Sequence, residues 1–171
     1  NEVYVAGENK YGLLGLDLDD DAVKKATFTK IPSLFVCKIQ KVSCGWWHAM
    51  AIGEHGKSLF GWGWNKYGQI GNGTTDDVPL PFEMKLPMPE KLRQQQKEIK
   101  TSPVGGIATS ILTATKDMNK NTYRPSYKNV LVGRRHTMVI TNDSSYFMWG
   151  HVQHFSSIHG RDNIIMFRQF Y

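Results

Sequence analysis

Gly7-Glu8-Asn9-Lys10-Tyr11-Gly12-Leu13-Leu14-Gly15 aligns without gaps with Gly63-Trp64-Asn65-Lys66-Tyr67-Gly68-Gln69-Ile70-Gly71. Six of nine positions are identical, and the two stretches lie 56 positions apart (63 − 7). A second motif also recurs: Val42-Ser43-Cys44-Gly45-Trp46-Trp47-His48-Ala49-Met50-Ala51-Ile52 matches Val130-Leu131-Val132-Gly133-Arg134-Arg135-His136-Thr137-Met138-Val139-Ile140. Each copy leads on to Trp-Gly, at Trp62-Gly63 and at Trp149-Gly150. Self-similarity at a fixed spacing marks units that cannot bury both faces alone and have to stack on their neighbours.

The chemistry of these positions is that of β-strands. The apolar runs are short, rich in Val, Ile, Leu and aromatics, and bounded by Gly, Asn, Asp and Pro. Recurring glycines supply positive φ or let two backbones approach closely. Valine at Gly45 or Gly63 is therefore expected to cost more than about 2 kcal/mol. Asn9 and Asn65 suit a tight turn, where the side-chain amide bonds nearby backbone groups. Tyr11 and Tyr67 are expected to brace those turns. Small four-stranded sheets set in a ring leave few exposed edges, so the pattern predicts a propeller.

At 171 residues, 40% hydrophobic and 21% charged, the chain has room for one domain with a real core. No run approaches the roughly 18–20 apolar residues of a membrane helix, and no basic region with an apolar run opens the chain. No membrane association is expected. The expectation is an intracellular protein of cytoplasm or nucleus, with cilium or mitochondrion as alternatives. A start at Asn1, with no Met before Met50, reads as an excerpt. Cys37 and Cys44 read as two buried, reduced thiols. No metal is expected, because Cys-x-x-Cys is absent and His151, His154 and His159 form only a loose group. The net charge of +6 is uneven: residues 88–128 hold eight Lys/Arg against three Asp/Glu. That segment would suit an acidic partner.

Gly-x-x-His-[Ser/Thr/Ala] followed by Trp-Gly-x-Asn-x-x-Gly-Gln-[Leu/Ile]-Gly resembles the repeat of the regulator-of-chromosome-condensation family, whose domain is a seven-bladed propeller. The resemblance implies an all-β partial propeller of about three blades with a short helical insertion. Residues 1–36 read as the second half of a repeat, 41–87 as a well-matched repeat and 129–171 as a degenerate one. Residues 88–128 read as a basic insertion. Within it, Pro89 to Lys100 reads as a short surface helix, with Pro at its start and straight-chain residues throughout. Residues 104–115 resemble a decayed repeat with Thr109 at the His position, which leaves a truncated blade or an unrelated insertion open. The last repeat departs at its turn, where Val152 replaces Asn and Phe155 and Ile158 replace glycines. Three blades span less than half a circle, so further polypeptide or a partner protein is expected to cover both ends.

Repetition of His48 and His136 points to an architectural role, because a general base would be a single special His beside a nucleophile or acid. No nucleophile elbow, phosphate loop or dinucleotide fingerprint is present, and neither an enzyme nor a cofactor is expected. Trp46, Trp47, Arg134 and Arg135 occupy matching turns between Gly and His. Loops on a rigid scaffold commonly carry binding, and Trp and Arg dominate interface hot spots. The resemblance then implies a protein-binding scaffold or adaptor, a subunit of a larger assembly. The alternatives are nucleotide exchange on a Ran-like small GTPase, for which no exchange residues are matched, and chromatin or nucleic-acid binding through the basic insertion.

Overall fold

Both copies of the long motif fold into the same antiparallel meander, because each apolar run is long enough for one strand and each glycine or Asn cluster turns the chain. The computed structural model describes residues 2–16, 24–86, 125–151 and 168–170. The chain divides into two units, Asn1–Lys85 with Pro125–Tyr171, and Leu86–Arg124. All ten described strands belong to the first. The expected helix from Pro89 and the decayed copy at 104–115 fall outside the described residues, as does the altered turn at 152–158.

Strands β1 (Tyr4–Glu8) and β2 (Lys24–Lys30) pair as a two-stranded sheet. The second sheet runs β3 (Ile39–Cys44), β4 (His48–Gly53), β5 (Leu59–Gly63) and β6 (Val78–Met84), each beside its neighbour in sequence. In the third, β7 (Tyr127–Val132), β8 (His136–Thr141), β9 (Tyr146–Gly150) and β10 (Arg168–Phe170) follow the same order. The registers repeat too: Cys44 faces Ala49 and His48 faces Gly63, as Val132 faces Thr137 and His136 faces Gly150. Short 3-10 turns at Lys10–Gly12, Pro32–Cys37 and Glu54–Gly56 link the strands. No helix among the described residues is long and apolar enough to cross a membrane.

All six residues of β4 are buried, which is why beyond His48 it reads as an uninterrupted apolar run rather than an alternating one. Ala49 and Ala51 join Phe60 and Trp62 in a core with Leu14, Leu16, Ile31 and Leu34 of the first sheet and its turns. Side chains alternate along a strand, so His48, Met50 and Ile52 point the other way, toward the third sheet. There the sheets pack directly on one another. A Cβ at Gly45 would run into the carbonyl of Gly133, so the glycine there serves close approach of two strands.

The two cysteines are free, but they are not both buried: Cys37 is half-buried and Cys44 exposed. Geometry explains the difference. The first sheet has two strands and leaves β3 uncovered on the face that carries Val42 and Cys44. Val42 is accordingly 40% exposed, whereas its counterpart Val130, under the second sheet, is 1% exposed.

Candidate protein-binding face

The turn Gly45-Trp46-Trp47 joins β3 to β4, and Gly133-Arg134-Arg135 joins β7 to β8. Both close with the same bond: Gly45 N–H donates to the His48 carbonyl and Gly133 N–H to that of His136, each at 2.9 Å. A second bond fixes the residue after each Trp-Gly beside the turn. Trp64 N–H donates to the Trp47 carbonyl and His151 N–H to the Arg135 carbonyl, both at 2.7 Å. Position for position, Trp47 with Trp64 in one sheet matches Arg135 with His151 in the next.

The Asn turns supply the remaining members. Asn9 and Asn65 are buried, and their Oδ1 atoms accept from Leu14 N–H at 3.1 Å and Ile70 N–H at 2.9 Å. These bonds hold Tyr11 and Tyr67 at the tips. Each tyrosine lies against the next sheet in sequence. Tyr11 meets Trp47 edge-on, with centroids 5.7 Å apart, and stacks on Trp64 at 5.8 Å. Tyr67 meets Trp64 edge-on at 5.3 Å and lies 5.3 Å from the His151 ring. Trp47, Tyr11, Trp64, Tyr67 and His151 thus form one continuous run of rings. Cations sit on it: Arg135 lies 4.7 Å from the Tyr67 centroid, and Lys10 about equally from Tyr11, at 5.2 Å, and Trp47, at 5.3 Å. Beside them Arg134 covers Trp46 at 3.9 Å. Trp46 remains 57% exposed.

The four turn residues singled out in the sequence therefore come together at one end of the sheets. Trp64, His151 and Lys10 were missed. For two of them the signal was available: Trp64 and His151 each follow a Trp-Gly.

His48 lies behind this face, between the second and third sheets. Its Nε2 is 2.9 Å from Thr137 Oγ1, and that hydroxyl donates to the Gln69 carbonyl at 2.7 Å. With the hydroxyl hydrogen so used, Nε2 carries the ring proton and donates. Burial, with His136 beside it, pushes the His48 pKa down to about 4 from 6.5. The ring is neutral and cross-links two sheets. His136 occupies the matching place in the third sheet and is half-buried. As pH falls from about 6.5 to about 4, the unfolded chain takes up a proton that folded His48 refuses. The His48 contribution to stability is therefore expected to fall across that window by an amount on the order of 3 kcal/mol and to level off below it. Urea melts between pH 7 and pH 4 check this, and His48→Gln is expected to flatten the slope.

The ties between sheets repeat as well. Trp62 Nε1 donates to the Leu13 carbonyl at 2.9 Å, and Trp149 Nε1 to the Gln69 carbonyl at 2.8 Å. Leu13 and Gln69 are again 56 positions apart (69 − 13).

Comparison with known proteins places this geometry in a family. Profiles described as "Regulator of chromosome condensation (RCC1) repeat" match residues 39–69 and, in a second profile, residues 1–52 and 58–95. The chain is 31% identical over 149 residues to the Ultraviolet-B receptor UVR8 of Arabidopsis thaliana, covering 86% of this chain and 25% of the receptor. It thus spans a quarter of that relative's length. Among solved structures, human WBSCR16 superposes with a TM-score of 0.63 at 16% identity, over 98% of this chain and 34% of that one. Prp20p of Saccharomyces cerevisiae superposes with 0.61 at 16% identity, over 95% and 32%.

Proposed function

Because this chain belongs to the Regulator of chromosome condensation (RCC1) repeat family, we propose that it is a protein-binding part of a propeller scaffold, working through the face built by its Gly-x-x-His turns. The first sheet is read as the second half of a repeat, β3 to β6 as one repeat, and β7 to β10 as a divergent one. The observation that carries the proposal is the run of rings from Trp47 to His151 with Lys10 and Arg135 seated on it and Arg134 over Trp46 beside it. Aromatic and Arg side chains on rigid turns lose little conformational freedom on binding and supply large contact areas. The function needs no catalytic group: the chain holds a surface, and partners dock. Prp20p is described as binding Gsp1p and histones. Its ligands belong to the same class, proteins, that this face fits.

Quantitative capture from extract tests the reading. The wild-type chain is compared with Trp46→Ser and Arg134→Ser, both exposed positions in turns outside the strands. A defined set of proteins is expected to be retained by wild type and depleted at least several-fold by either variant. An unchanged set would place binding elsewhere.

A further inference from the structure

We propose that the ligand of this face is an acidic segment of a partner protein, its carboxylates held by Arg134 and Arg135 and an apolar side chain laid on Trp46. The inference rests on the protein-binding reading above and adds the chemistry of the partner.

Charge is the first argument. The ion pairs of the described residues are Lys24 with Glu8, Lys30 with Glu2 and Lys38 with Glu54, with the His55 ring also beside Glu54, and none involves an arginine. Among the described residues no carboxylate pairs with Lys10, Arg134 or Arg135. Arg134 and Arg135 therefore stand on this face without a carboxylate partner, whereas Lys10 lies near enough to Glu8 to help hold that carboxyl below its usual range.

Orientation is the second. A guanidinium held over a ring can still offer a carboxylate two parallel N–H donors. Arg134 lies over Trp46, 3.9 Å from the ring centroid, and Arg135 over Tyr67 at 4.7 Å, so both cations are held in place before any ligand arrives. Such preorganisation lowers the entropy lost on binding.

The rings decide between acidic protein and nucleic acid. Single-stranded nucleic acid is held by open ring faces on which bases stack. Here Arg134 covers a face of Trp46, Arg135 a face of Tyr67, and Tyr11 and Trp64 stack on each other. Trp46 remains 57% exposed beside Arg134, a pairing suited to a carboxylate next to an apolar side chain.

The test is fluorescence anisotropy on the full chain with a labelled peptide of alternating Glu and Leu, its Gln counterpart, and labelled oligothymidylate. Arg134→Gln with Arg135→Gln is compared with a charge-matched control, Lys57→Gln with Lys128→Gln. The control lysines are exposed and lie at the opposite end of the strands. Trp46→Ala is measured separately, and thermal melts confirm that every variant is folded. The acidic peptide is expected to bind, the Gln peptide not to. The arginine pair is expected to weaken binding by at least about tenfold and the control by less than about twofold. Equal loss in the control would mean unspecific attraction and overturn the proposal, as would tighter binding of oligothymidylate. If acidic peptide fails to bind while capture from extract still depends on Trp46 and Arg134, the acidic ligand is wrong and the protein-binding reading stands. If capture fails too, both fall.

Discussion

Gly71→Ala is expected to destabilise the fold by more than about 3 kcal/mol, far beyond the cost of the same change two residues on. Gly71 has φ +83°, and a Cβ there would lie 2.6 Å from Trp149 Nε1 and 2.8 Å from Met84 Cε. Trp149 would have to leave the Gln69 carbonyl, breaking one of the ties between the second and third sheets. Gly73 has a similar φ of +87° but nothing within 4 Å of a Cβ. Gly73→Ala therefore measures the backbone strain alone, about 1 kcal/mol. Urea denaturation of the two variants beside wild type separates strain from close approach. Equal losses would mean that Trp149 can shift without cost.

Trp62→Ala is expected to cost about 3–5 kcal/mol. The side chain is 1% exposed in the core between the first and second sheets. Its loss leaves a cavity and takes the donor from the Leu13 carbonyl. Trp62→Phe keeps most of the bulk and gives up the indole N–H, so its cost should be nearer 1–2 kcal/mol, the value of one buried hydrogen bond with its desolvation. Hydrogen exchange reports where the damage goes. Amides of β1 and β2 should lose protection in Trp62→Ala, because the first sheet is held mainly through this core. Undiminished protection there would show that the sheet is stabilised by other contacts.

Much of this architecture was legible in the residues. The 56-position offset carried the shared turn geometry, since a buried Asn and two glycines perform the same backbone task in each copy. The recurrence of Gly-x-x-His and Trp-Gly carried the strand order. What stayed hidden lies between sheets, where partners far apart in sequence meet. Tyr11 and Tyr67 read as braces for their own turns, but their rings lie against the next sheet, at Trp47 and Trp64 for Tyr11 and at His151 for Tyr67. Cys44 reads as core from its apolar neighbours, yet it is exposed because the first sheet has no strand over β3. Thr137 is a plain strand residue in sequence, and only stacking reveals it as the acceptor for His48.

The central claim is that partners dock on the face carrying Trp46, Trp47 and Trp64. The chain has five tryptophans, so an indole N–H correlation spectrum holds five assignable signals. Single Trp→Phe substitutions assign them. On titration with a protein captured through this face, the signals of Trp46, Trp47 and Trp64 are predicted to shift or broaden. Those of Trp62 and Trp149, sealed between sheets and bonded to Leu13 and Gln69, are predicted to stay in place. Saturating partner that leaves the first three unmoved would contradict the account.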